Sequence, residues 1–459
     1  MPSLPLRDHR ARAASVGARP IALARPRRRR SRNGGLAVAA LAALCLSLLG
    51  PAGRSSSALA DGVPGLPDQT FYGRGYGHGV GMSQYGARGR ALAGQVASQI
   101  LAHYYPKTTL GTRSAWTPVR VLLLTGFRAT SGAPLTVVGT GAPGWTIDGI
   151  ATVFPANARL TLAPTAAAAT TWTLRVTSST GASLLAKTVH GDVFVRPVNS
   201  SSLLTLVSKA TTTNVYRGSF RIHLTTTAMV INQVPLDYYL RGVVTLEMPA
   251  TWPAEALAAQ AIAARSYALY RLHPTTGSYD VYDDTRSQVY RGRKAETTAG
   301  IAAVKATAGQ VLLSGTSVAN ALFHSSDGGW TENNENVFVS ATGAVVAGAV
   351  PYLRGTSDRA PDGSSYDRAS PYATWQTATY SAAALSAMLA TDPRTAVGTL
   401  SAIDLSRRGV SGRLISVTLT GDLGTKTVSA DVFRAVFNAA KPAADPQLRD
   451  TLFDTAPIP

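Results

Sequence analysis

The sequence predicts an α+β fold: one large domain in which a helical segment packs with antiparallel β-sheet, with room for a β-rich subdomain. Three observations carry this. Between 117 and 235 the chain is written in short Thr/Val/Leu runs (PVRVLLLTG, LTVVGTG, TWTLRVTSST, DVFVRPV, FRIHLTTTAMVINQ) broken by Gly, Asn and Ser, as in several antiparallel strands. Residues 236–309 read mainly as helix, centred on PAEALAAQAIAARSYALYRL. From 310 the strand pattern returns in QVLLSG and VANALFHSS.

Taken in order, residues 1–60 read as a basic leader and secretory signal. Arg27 to Arg30 and Arg32 precede an apolar run from Gly34 to Gly50, and Ala58-Leu59-Ala60 offers a cleavage site before Asp61. The run is 17 residues long, slightly short for a bilayer span, so a cleaved signal is expected and a membrane partner only if it stays uncleaved. Residues 61–110 hold the Gly-rich FYGRGYGHGVGMSQYGARG and then ALAGQVASQILAHYY, where Leu92, Val96, Ile100 and Tyr104 recur every four residues and predict an amphipathic helix. Residues 111–235 are the β-rich region, with the low-complexity APTAAAATT (163–171) as a loop.

Residues 236–459 form the main part of the domain. Pro253 is placed as a first helical residue with Thr251 as its cap, and the helix should stop at His273-Pro274. A long loop region rich in Gly, Asp, Ser and Asn follows at 325–372, then a short helix near 381–390 and closing strands in LISVTLTGDLGTKTVS.

The net charge of +19 is concentrated in the leader, which holds 11 of the 44 basic residues and one of the 25 acidic ones, leaving 33 − 24 = +9 downstream. That charge is spread along the chain and suits an anionic wall polymer better than nucleic acid. The single cysteine, Cys45, lies in the apolar run, so the mature chain would have no disulfide, cysteine nucleophile or thiolate metal site. No histidine pair has ligand spacing, so neither metal nor cofactor is expected.

The chain has only five glutamates, at 247, 255, 296, 332 and 335. If LDYYLRGVVTLEM is a helix, Glu247 shares an apolar face with Leu240, Val243 and Val244. Burial there would raise its pKa, as a general acid requires. The other reading is a structural ion pair with Arg241 or Arg265. In the Gly-rich loop, His78, Ser83 and Gln84 either wall a site for hydroxyls or sit in a tightly packed turn.

YYLRGVVTLEMPATWPAEALAAQAIAARSYAL resembles the central signature of the stage II sporulation protein D family, which includes the amidase enhancers. DTRSQVYRG (284–292), ALFHSSDGGWTEN (321–333), PYLRGTSD (351–358), GYGHGVGMSQYGARG and the closing LRDTLF (448–453) resemble its other motifs, and together they cover most of 70–455.

The resemblance implies a secreted lytic transglycosylase acting on the glycan strands of peptidoglycan in the cell wall, with Glu247 as the catalytic glutamate. In that chemistry one carboxyl protonates the glycosidic oxygen, and the carboxylate then takes the proton of the muramic C6 hydroxyl as a 1,6-anhydro ring closes; no second carboxylate is needed. Gln260, Arg265, Gln288, Tyr290, His324, Ser325, His78, Ser83 and Gln84 are then the expected substrate-binding residues. Some members are known only as enhancers, which makes a non-catalytic glycan-binding module with a cell-wall amidase as partner the rival expectation.

Two departures stand out. Ser325 and Ser326 occupy positions where thiols would hold zinc in some members. GHGVGMSQYGA usually closes the domain but here precedes it, so a circular permutation is expected, with residues 450–455 beside 68–73.

Overall fold

The computed structural model describes residues 66–273 and 276–458. The leader and its cysteine lie outside them. All of the described residues fall in one compact unit.

The α+β architecture is as the sequence predicts. Two six-stranded sheets carry the β-rich half. The first runs in the order Val281–Tyr282, Pro118–Phe127, Ala228–Pro235, Ser219–Leu224, Gly191–Pro197, Trp145–Ile147, antiparallel except for Val281–Tyr282 on Pro118–Phe127. The second runs Val215–Tyr216, Leu203–Leu206, Leu135–Thr140, Arg159–Pro164, Trp172–Thr177, Ser183–Val189, antiparallel throughout. Alternation fixes which side is buried: in Ser219–Leu224, Phe220, Ile222 and Leu224 point inward, and in Trp172–Thr177, Trp172, Leu174 and Val176 do. These join the helical core in one continuous cluster. The stretch 163–171 links two paired strands of the second sheet, as expected of a loop.

Nine α-helices occur among the described residues: α1 (Gln84–Leu92), α2 (Ala97–Tyr104), α3 (Leu236–Arg241), α4 (Val244–Glu247), α5 (Ala254–Tyr270), α6 (Thr298–Ala306), α7 (Asn334–Val337), α8 (Ala382–Leu389) and α9 (Ala430–Ala440). The single helix expected through Leu92 and Val96 is two. Gly94 adopts φ +86°, a left-handed value that ends α1, so Leu92 and Val96 face solvent while Ile100 and Tyr104 are buried. Likewise LDYYLRGVVTLEM breaks at Gly242 into α3 and α4. Pro253 lies at the N-cap of α5, one residue before the helix proper, and no side chain caps it, so Thr251 does not play that part. VANALFHSS contributes Val318 to the two-residue strand Ser317–Val318 and then the two-residue strand Phe323–His324.

The closing region holds a helix where only strands were expected. Ser429 Oγ accepts from the Val432 amide and starts α9, whose Phe433, Val436 and Phe437 form a second core. Phe71 is sealed into that core against Phe433, Phe437 and Phe453, with ring centroids 5.4–5.8 Å away. Strand Tyr72–Gly73 pairs with Phe453–Asp454 on one side and Trp375–Gln376 on the other. The expected adjacency of 68–73 and 450–455 is therefore present.

Candidate active site

Alternating glycines lay the loop 75–81 along the strand that carries His324. Gly75, Gly77, Gly79 and Gly81 all have φ between +72° and +114°. At Gly79 a Cβ would stand 2.3 Å from Arg413 Nε, so only glycine admits the buried ion pair of Arg413 with Asp450 from LRDTLF (2.7 Å). Met82–Ser83 then pairs in parallel with Phe323–His324, which delivers α1 to the catalytic segment.

At that junction Gln84, the first residue of α1, meets Glu247, the last of α4. Gln84 Nε2 donates to Glu247 Oε2 at 3.4 Å, and the Val289 amide donates to Oε1 at 3.1 Å. Burial raises the Glu247 carboxyl above the ordinary glutamate range, and these two donors oppose the rise without cancelling it. The ion-pair reading fails: Arg265 binds Asp237 at 3.0 Å, and Arg241 stacks over Tyr238 with its guanidinium 4.6 Å from the ring centre.

Comparison with the other glutamates sharpens this. Glu255 accepts from the Ala97 amide at the start of α2, Glu296 grips Arg217, and Glu335 pairs with Arg354. Glu332 accepts from the amides of Asn333, Val410 and Ser411, the Ser411 hydroxyl and Asn336. Each is occupied by the fold. Glu247 alone opens onto a cavity, of about 1010 Å³, in which it is the sole acidic lining residue.

That cavity also receives His78, Gln84, His324 and Ser325 of the expected set. The His78 and His324 ring centres are 5.4 Å apart. Burial, with Arg413 nearby, brings His78 down to about 4, and burial with the neighbouring His78 holds His324 well below its usual range, so both are neutral at pH 7. The lining also includes the aromatic and apolar Tyr267, Phe323, Phe338 and Val350, with the Phe338 ring centre 5.9 Å from that of His78.

Five expected residues do not line it. Ser83 is buried as the N-cap of α1, accepting from the Gly86 amide at 3.1 Å. Gln260 is fully buried inside α5, Gln288 accepts from Tyr239 Oη at 3.1 Å, and Tyr290 Oη donates to Asn232 at 2.9 Å. Arg265, fully buried, donates to Asp237, Thr307 and the carbonyls of Val304 and Gln310. All five belong to the packing and not to the cavity lining; Gln260 and Arg265 are buried because α5 is enclosed on nearly every side.

Sequence reasoning missed Val289, whose amide holds the carboxylate, and the cationic lining of Arg271, Arg286 and Arg434. Arg286 pairs with Asp284 and Arg434 with Asp431, whereas Arg271 stacks on Tyr267 with no carboxylate partner among the described residues. Arg434 lies on α9, and the cap Ser429 followed by Phe433, Val436 and Phe437 was the signal available for it. Three lining residues carry a buried polar atom without a protein partner: Arg271 Nε, Asn320 Oδ1 and His324 Nε2. Such atoms fit a cavity that takes a polar ligand. No group of three or more His, Cys, Asp or Glu side chains able to hold a metal occurs among the described residues.

Fold and site thus define an α+β domain with one raised carboxyl in a wide polar cleft. Residues 225–313, which contain α3, α4 and α5, match the family model SpoIID, Stage II sporulation protein. It is 36% identical over 143 residues to an uncharacterized protein of Brachyspira hyodysenteriae (30% of this chain, 37% of that one). It is 39% identical over 119 residues to the amidase enhancer of Bacillus subtilis (26% and 15%), and 34% over 158 residues to stage II sporulation protein D of the same organism (31% and 42%). The matches thus span less than half the length of each of these relatives. No solved structure matches the chain.

Proposed function

We propose that the protein is a secreted lytic transglycosylase that cleaves between N-acetylmuramic acid and N-acetylglucosamine in peptidoglycan, with Glu247 as acid and then base. The observation that carries this reading is the lone raised carboxyl in the cleft. A hydrolase that positions water or forms a glycosyl-enzyme needs a second carboxylate 5–10 Å away, roughly. The cavity has none among its described lining residues, while an internal C6 hydroxyl needs none. With its carboxyl raised by burial, Glu247 gives its proton to the glycosidic oxygen. The C1–O bond breaks, the C6 oxygen closes on C1, and the carboxylate takes the C6 proton, which restores the starting state. The Val289 amide and Gln84 hold the carboxyl in one orientation through both transfers.

A second reading has its own support in the relative named an amidase enhancer: the cleft binds glycan and presents it to a cell-wall amidase without cleaving. Incubating the protein with purified glycan strands and analysing the chain ends by mass spectrometry separates the two. New 1,6-anhydro-muramic ends support the enzyme; unchanged strands that nonetheless retain the protein support the binding module.

A further inference from the structure

Gln84 and Glu247 both line the cavity. The next residues along both segments, Tyr85 and Leu246, lie outside it, and so does Trp252 from the turn that leads into α5. Tyr85 and Trp252 meet edge to face, ring centres 4.8 Å apart at 65°, and the Arg88 guanidinium stands 5.7 Å from the Trp252 ring centre. Leu246 is 42% exposed. Trp252 rests one side on the main core and is half-buried, as is Tyr85. Neither Tyr85 Oη nor Trp252 Nε1 has a hydrogen-bond partner among the described residues, and neither is buried. Arg88 has no carboxylate partner there either. Each of these groups is explained by packing only on one side.

We infer that Tyr85, Trp252 and Arg88 form a saccharide subsite that continues the cleft past Glu247 and holds the strand on the far side of the bond being cut. The inference rests on the proposed function in supposing a glycan as the ligand. An internal bond of a polymer has sugars on both sides of it, and Tyr85 and Trp252 offer a surface for them outside the cavity lining. A pyranose ring presents an apolar face of C–H groups that lies flat on an indole or phenol, and its N-acetyl and hydroxyl groups reach Trp252 Nε1 and Tyr85 Oη. Arg88 faces outward as an uncommitted cation, suited to the carboxylates that a muramic polymer carries and a plain N-acetylglucosamine polymer lacks.

The test uses the Glu247→Gln protein, which binds without consuming substrate, and calorimetric titration with a tetrasaccharide and an octasaccharide of alternating N-acetylglucosamine and N-acetylmuramic acid. The octasaccharide should bind more tightly. In Trp252→Leu, which keeps apolar bulk against the core, that advantage should fall by about tenfold, the scale of one lost aromatic stack, and Trp252→Phe should restore most of it. Arg88→Glu, at a half-exposed position, should weaken the muramic octasaccharide but leave a chitin oligosaccharide of equal length unaffected. An undiminished length advantage in Trp252→Leu, with Arg88→Glu equally silent, overturns the subsite. If the parent makes anhydro ends and these variants bind like the Glu247→Gln control, the subsite alone fails. If it makes none but the length advantage needs Trp252, catalysis alone fails. Absence of binding to either oligosaccharide removes both.

Discussion

Arg265→Met asks whether a polar residue of the catalytic segment contacts substrate or holds the fold. The arginine is fully buried, pairs with Asp237 at 3.0 Å and donates to Thr307 and two main-chain carbonyls. Methionine keeps much of the volume but removes all of these bonds, leaving a carboxylate and two carbonyls without their donor. Breaking a buried pair from one side costs about 3–5 kcal/mol. The Asp237 side chain is 14% exposed, so water reaches it in part and the low end, about 3 kcal/mol, applies. With an unfolding entropy of about 2.1 cal/mol/K per residue over roughly 400 residues, the Tm should fall by about 4 °C. Differential scanning calorimetry gives the shift, and initial rates at a temperature where the variant is folded give the activity, expected within about twofold of the parent. A Tm within about 1 °C of the parent together with lost activity would refute the structural role and return Arg265 to the cleft.

Other expectations follow from the same geometry. Because burial raises the Glu247 carboxyl, the folded state holds that proton more tightly than the unfolded chain, a stabilisation lost as pH rises through the folded pKa. Glu247→Gln should therefore be more stable than the parent at pH 8, with the gain vanishing near pH 4; equal melting curves at both would contradict the raised carboxyl. The activity of the parent should fall on the alkaline side as the acid form is lost, with a titration above the ordinary glutamate value of about 4.3. Phe71→Ala should cost about 3–5 kcal/mol by emptying the aromatic core shared with Phe433, Phe437 and Phe453, read by urea unfolding. A loss below about 1 kcal/mol would mean that the N-terminal strand is not integral to the domain. EDTA should leave activity unchanged; loss restored by zinc would assign a metal to His324.

Much of the fold was legible because its strands alternate and its helices begin and end on recognisable residues. In the runs at 172–177 and 219–224 burial alternates with a period of two, whereas 121–123, 135–137 and 230–232 are buried without a break inside their strands. What was lost has particular causes. Leu92, Val96, Ile100 and Tyr104 share a period, but Gly94 turns the chain between the first and the second, and a period of four cannot report a left-handed residue inside it. The motif at Glu247 located the carboxyl, and the Gly-rich motif located His78 and Gln84. Within α5, however, spacing could not tell cleft from core, since Gln260 and Arg265 are polar residues on a helix enclosed by others. Val289 was invisible for a different reason: its contribution is a main-chain amide, which any residue there would supply. Arg434 was hidden by the unrecognised α9.

The central claim is that one carboxyl, Glu247, cuts the glycan without water as a reactant. It is tested most directly by digesting purified glycan strands in water enriched in oxygen-18 and weighing the new chain ends by mass spectrometry, with Glu247→Gln run in parallel. The account predicts 1,6-anhydro-muramic ends that carry no heavy oxygen from the parent, and none from the variant. Reducing ends labelled with oxygen-18, or anhydro ends released equally by Glu247→Gln, would contradict it.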